Sequence, residues 1–152
     1  MDPAMIEMLG LSDADLVKPE PEPTQWSAPF WEAARQHSLL LRRCSSCGTY
    51  QHPPYPSCVE CSGESFEWVD AVGTATLYAY TVNHFAVPFA FWDDMPYVTA
   101  IVELAEGVRM ISNIVECNDG VLQTGMDLEV VFDDESDRFT LPKWRPARQE
   151  AR

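Results

Sequence analysis

The sequence predicts a mainly β protein: an N-terminal helix, a zinc ribbon, then a small closed barrel of five strands. Three observations predict it. Four of the five cysteines form two C-x-x-C pairs within "CSSCGTYQHPPYPSCVEC" (residues 44–61). Beyond Gly73 a series of short runs with strand character follows, each bounded by turn residues. Helical periodicity is absent from that second half.

Residues 1–25 read as a flexible acidic arm ending in a linker. Met5, Met8 and Leu9 have helical spacing, but Gly10 interrupts it. "KPEPEPT" then alternates proline with glutamate, which favours a stiff, hydrated polyproline-like spacer. Residues 26–70 read as helix plus ribbon. In "SAPFWEAARQH", Ser27 is a candidate cap and Pro29 suits a first helical turn. That helix should run to about Gln36 with Phe30, Trp31 and Ala34 on its apolar side. "LLLRR" is then a short strand that delivers the chain into Cys44.

The pattern C-x2-C-x10-C-x2-C supplies four soft ligands on two tight knuckles, the set that tetrahedral Zn²⁺ prefers. Gly48, directly after Cys47, permits the positive φ that turns the chain away behind the second sulfur. "HPPYP" returns the chain without a helix, and a metal supplies cohesion to a segment too small for a core of its own. Cys44, Cys47, Cys58 and Cys61 are therefore expected to hold a structural Zn²⁺, with iron the alternative ion. A catalytic zinc keeps one position open for water, whereas four thiolates close the shell. His52, in the ribbon loop, reads as a surface residue rather than a further ligand. Cys117 reads as a small packing residue, with no base nearby to activate it as a nucleophile.

Residues 71–145 carry the strands, at about Thr74–His84, Tyr97–Leu104, Val108–Glu116, Leu128–Phe132 and Arg138–Leu141. Val98, Ala100, Val102 and Leu104 alternate on one face. Ile111 and Val115 make the opposite face of the third strand partly apolar, and a sheet apolar on parts of both faces needs cover or closure. Residues 146–152 are a C-terminal tail.

The chain of 152 residues has 24 acidic and 10 basic side chains, a net charge of −14. That balance opposes nucleic-acid backbones and anionic membrane surfaces alike. No apolar run reaches membrane-spanning length, and the opening "MDPAMIEMLG" lacks the pattern of a secretory signal, so a reducing cytoplasm is the expected compartment.

"FWEA" (30–33), the four cysteines with Gly48, Pro53-Pro54 and Phe66-Glu-Trp68 occur in one order. Gly73, "YAYTV" (78–82), Pro96-Tyr97-Val98, "VEL" (102–104), Gly107 and Gly125-Met126 continue it. Over residues 26–145 this order resembles the acyl-CoA-associated OB-fold family. Tyr55 stands where a basic residue commonly follows the two prolines.

The resemblance implies a rubredoxin-like ribbon followed by an OB-type barrel. It also implies a noncatalytic role as small subunit of a thiolase-superfamily aldolase, thiolase or acyltransferase, including aldolases that act on steroid side-chain CoA thioesters. The partner would carry the catalytic groups. This subunit would complete the interface and the acyl-CoA channel, with a CoA thioester shared between them. The loop "HFAVPFAFWDDMPY" (84–97) is the candidate contact surface, through His84, Phe85, Phe89, Phe91, Trp92 and Tyr97. So many large apolar groups in a loop mark an interface or ligand groove, the competing expectation being a lid over the barrel's own core. A ribbon–barrel nucleic-acid binder and an independent zinc enzyme are the other function classes. The charge opposes the first, the closed ligand set the second.

Overall fold

A computed structural model of the chain describes residues 1–85, 88–117 and 119–148. Helix α1 spans Pro3–Leu9, capped by the Asp2 side chain at its start and by left-handed Gly10 at its end. A 3₁₀ turn at Asp13–Leu16 follows, with Ser12 and Asp15 in a reciprocal capping box. The segment read as a flexible arm therefore has local structure of its own. Its cause is capping and ion pairing rather than burial, since no residue of either element is buried.

Helix α2, Ala28–Arg35, buries Phe30, Ala33 and Ala34. Ser27 does not cap it; its hydroxyl instead accepts from the Thr24 N–H at 2.9 Å, closing the preceding turn. Strands β1 (Leu40–Cys44), β2 (Tyr50–Gln51) and β3 (Phe66–Asp70) form an antiparallel sheet in the order β2-β1-β3. Arg42 lies over the Phe66 ring at 3.7 Å.

Strands β4 (Thr74–Asn83), β5 (Tyr97–Leu104), β6 (Arg109–Ile114), β7 (Asp127–Asp134) and β8 (Thr140–Pro146) close a barrel in the order β4-β5-β6-β8-β7. Every pairing is antiparallel except β6 with β8, which meet in parallel at Ile114 and Trp144. Period-2 alternation sends Val98, Ala100, Val102 and Leu104 inward, as the sequence predicts. A register shift between Leu77 and Ala79 leaves Tyr78 outside, beneath the Arg109 guanidinium at 3.5 Å.

β8 begins and ends later than expected. Thr140, Pro142 and Trp144 alternate inward, a pattern masked in sequence by the proline and by Lys143 and Arg145. The Pro142 carbonyl points toward β6, where it accepts from Ser112 Oγ at 2.7 Å. Its missing N–H thus falls on the sparsely bonded side, where a strand tolerates proline. Ribbon, helix and barrel share one apolar cluster that runs from Phe30, Leu39 and Leu41 to Leu77, Val102, Leu128 and Trp144. Trp31 meets Phe139 edge-on at 6.0 Å, and His37 stacks on Phe132 at 5.3 Å while contacting Asp134.

Candidate functional site

The two cysteine knuckles are built alike. Gly48 N–H donates to the Cys44 carbonyl at 2.9 Å, and Ser62 N–H to the Cys58 carbonyl at 2.9 Å. Cys44 N–H reaches Thr49 O at 2.9 Å, and Cys58 N–H reaches Gly63 O at 2.8 Å. Gly48 and Ser62 both have positive φ, 77° and 59°. The sequence pointed to Gly48; Ser62 gave no such signal because serine rarely takes that conformation.

The four sulfurs lie within 4.8 Å of one another, and the pairs Cys44–Cys61 and Cys47–Cys58 are each 3.6 Å apart. A tetrahedral ion with metal–sulfur bonds of about 2.3 Å would set sulfur separations near ~3.8 Å. The donor set therefore fits a metal ion. Cys44 and Cys58 are buried and Cys47 and Cys61 exposed, so the site sits at the surface with its inner half sealed.

Local hydrogen bonds prepare the sulfurs unequally. The Thr49 hydroxyl and N–H hold the Cys47 thiol down at about 6. The Cys47 N–H lowers Cys44. At Cys61 the Gly63 N–H favours the thiolate, but the neighbouring Cys47 and Cys44 sulfurs together push it up to about 12. Such crowding calls for a cation.

His52 is half-buried rather than a surface residue, with its ring 5.1 Å from Phe30. Burial depresses its pKa to about 4, so it packs as a neutral imidazole. Its burial comes from packing against Phe30 of α2, a tertiary contact invisible in local sequence.

The candidate contact loop carries a 3₁₀ turn at Phe89–Asp94, none of whose residues is buried. Phe85 is 67% exposed and His84 is exposed at the end of β4. Phe85 and Phe89 approach Trp92 at 6.4 and 6.2 Å, whereas Phe91 turns to Tyr97, the first residue of β5, at 6.3 Å. None of these rings belongs to the shared apolar cluster.

Phe91 and Tyr97 instead line an open groove of about 670 Å³ outside the barrel, a size in the range of ligand sites. Ile111, Leu141 and Cys117 contribute to it from the barrel, and Lys18, Pro19 and Pro21 from the arm. Sequence reasoning missed these last residues. The available signal was compositional: Lys18 and Lys143, the chain's two lysines, both line this groove.

Residues 31–67 match the family described as "ChsH2, rubredoxin-like zinc ribbon domain", and residues 68–133 match "ChsH2, C-terminal OB-fold domain". The chain belongs to the ChsH2 family. The expected ribbon and OB-type barrel are both present.

A "DUF35 domain-containing scaffold protein" of Methanocaldococcus jannaschii is 36% identical, over 67% of this chain and 73% of its own. A "Probable enoyl-CoA hydratase alpha subunit" of Thermomonospora curvata is 37% identical, over 86% of this chain and 40% of its own. The "3-oxo-4,17-pregnadiene-20-carboxyl-CoA hydratase alpha subunit" of Mycobacterium tuberculosis is 29% identical, over 83% and 39% respectively. The chain thus spans about two fifths of the length of these two hydratase subunits. Among solved structures, a chain of an "Ltp2-ChsH2(DUF35) aldolase" superposes with a TM-score of 0.77 at 37% identity, covering 84% of this chain and 98% of that one. No described helix is long and apolar enough to cross a membrane.

Proposed function

We propose that this ChsH2-family chain is the noncatalytic ribbon–barrel subunit of a thiolase-like acyl-CoA enzyme, an aldolase in the first instance, acting on bulky side-chain CoA thioesters of steroid type. One observation carries this reading: the rings of residues 85–97 stand outside the shared apolar cluster, beside a groove of ligand size. Apolar groups placed this way are characteristic of the centre of a protein interface. In this reading His84, Phe85, Phe89, Phe91, Trp92 and Tyr97 meet the partner and wall part of its acyl channel. The names of the aldolase and hydratase-subunit relatives support the class of partner and substrate.

Cys44, Cys47, Cys58 and Cys61 would hold a structural Zn²⁺, which supplies folding cohesion and no chemistry. Among the described residues they are the one cluster suited to a metal ion, and four thiolates leave no position for a water. The cytoplasm is the compartment that suits four reduced thiols. Nucleic-acid binding gains nothing from the fold, because Lys18, Lys143, Arg109 and Arg145 are each paired with carboxylates rather than arrayed as a basic stripe.

The test is co-expression with a thiolase-superfamily partner, followed by size-exclusion chromatography and turnover on a panel of CoA thioesters that includes steroid side chains. The lone chain should be inactive and the complex active. Replacing Phe91 and Trp92 by alanine should weaken co-elution at least ~10-fold, the scale of interface hot spots, while leaving the fold intact. Turnover by the purified lone chain, or unchanged association of the double variant, would refute the reading.

A further inference from the structure

The chain's own arm forms part of the groove's lining and ties its rims together. Lys18 Nζ lies 2.8 Å from Asp94 Oδ2 and 2.6 Å from Glu135 Oε1. Asp94 ends the 3₁₀ turn of the aromatic loop, and Glu135 sits just after β7, so one ammonium joins two separate rims of the groove. The same ammonium stands 5.8 Å from the Phe91 ring centre. Two residues further on, Glu20 accepts from Ser136 Oγ at 3.0 Å and pairs with Arg138 at 3.1 Å. Pro19 lies between these two anchors and Pro21 just beyond, and both line the groove. Their fixed φ keeps the strap extended at little entropic cost.

We propose that Lys18–Pro21 is an intramolecular gate: in the free subunit it straps the groove between Asp94 and Glu135 and narrows its entrance, and it lifts to admit the apolar body of an acyl group. The admitted ligand rests on the function proposed above; the gate itself rests on the contacts just described.

Three features make the strap releasable. Its anchors are ion pairs with partly exposed partners, each worth at most about a fivefold shift in an open–closed equilibrium and weakened by salt. No residue of the two helical elements that precede it belongs to the apolar cluster, so lifting the strap leaves that cluster intact, and the Met1 amine paired with Asp93 is a further exposed anchor of the same kind. Glu135 does not depend on Lys18 alone. Lys143, only 16% exposed, also approaches it at 3.6 Å, so opening leaves that carboxylate with a cation and Asp94 free to hydrate. The groove beside the strap offers apolar side chains, Phe91, Tyr97, Leu141 and Ile111, the last already 75% exposed, among polar ones such as Thr99 and Asn113.

The test uses the full-length, metal-loaded lone chain and the neutral dye Nile red as a stand-in for an apolar ligand body. Lys18→Ala should bind the dye ~3- to 10-fold more tightly than wild type, the loss of two exposed pairs. Raising salt from about 50 to 500 mM should tighten binding to wild type more than to the variant, because substitution already removes the Lys18 pairs and leaves only Glu20–Arg138 and the Met1 amine–Asp93 pair to be screened. Amide exchange at Phe91–Asp94 and Ile111–Glu116 should quicken in the variant, while its melting temperature stays within a few degrees of wild type. Equal dye affinities, equal salt responses, or no dye binding by either protein would overturn the gate. The dye assay needs no partner subunit, so failure of the gate and failure of the subunit assignment are separate outcomes.

Discussion

Gly63 sets how closely the second knuckle wraps its sulfurs. A Cβ there would stand 3.2 Å from Ser46 Oγ, 3.3 Å from Cys61 Sγ and 3.6 Å from Cys44 Sγ. The close approach explains a glycine where the first knuckle, through Thr49, has a side chain that contacts Cys47 at 3.2 Å instead. At His52 the same scale gives a pH dependence. Its folded pKa is about 4 against an ordinary value of 6.5, because burial disfavours the charged ring. The unfolded chain therefore takes up a proton that the folded chain refuses, and stability falls as pH drops from about 6.5 toward 4. His52→Gln should lose less melting temperature than wild type between pH 7 and pH 5. Parallel losses in the two proteins would remove His52 from the account.

Among the elements, β8 has most control over closure. It pairs along its length with β7 but meets β6 at a single position, where Trp144 faces Ile114. Trp144 is fully buried, and its Nε1–H has no partner among the described residues. Trp144→Ala should cost about 3–5 kcal/mol in urea unfolding through the cavity it leaves. Trp144→Phe should cost clearly less, since it keeps an aromatic ring and removes an unpaired buried donor. Equal costs would mean that the indole nitrogen finds a partner in solution. The boundary errors in β8 have the same physical source. Its inward residues are threonine, proline and tryptophan, so the apolar alternation that announced β5 is missing.

At the scale of the molecule, the ribbon and the barrel are tied by a common apolar cluster. Leu41, fully buried on β1, belongs to the same cluster as Leu77 and Trp144. Metal removal should therefore act beyond the ribbon. With a strong chelator the melting temperature should fall by about 10 °C or more, and ribbon and barrel should unfold in one transition. Circular dichroism and tryptophan fluorescence followed together would check it. Two separated transitions would show that the modules are energetically independent. The net charge of −14 adds a long-range term. Self-repulsion favours loosening the acidic arm, so ion pairs such as Lys18–Asp94 and Glu20–Arg138 hold it against a standing opposing force.

The cysteine spacing and the alternation of Val98 to Leu104 were readable because each is a local code: knuckle geometry repeats in two residues of separation, and a strand facing a core repeats every second residue. Those codes, with the order of the family's marks, determined a ribbon followed by a five-stranded barrel. The inward turn of His52, the meeting of Lys18 with Asp94 and Glu135, and the groove between arm and barrel came only with the tertiary structure. They depend on residues distant in sequence and brought together by closure of the barrel, and no local periodicity encodes a contact of that kind.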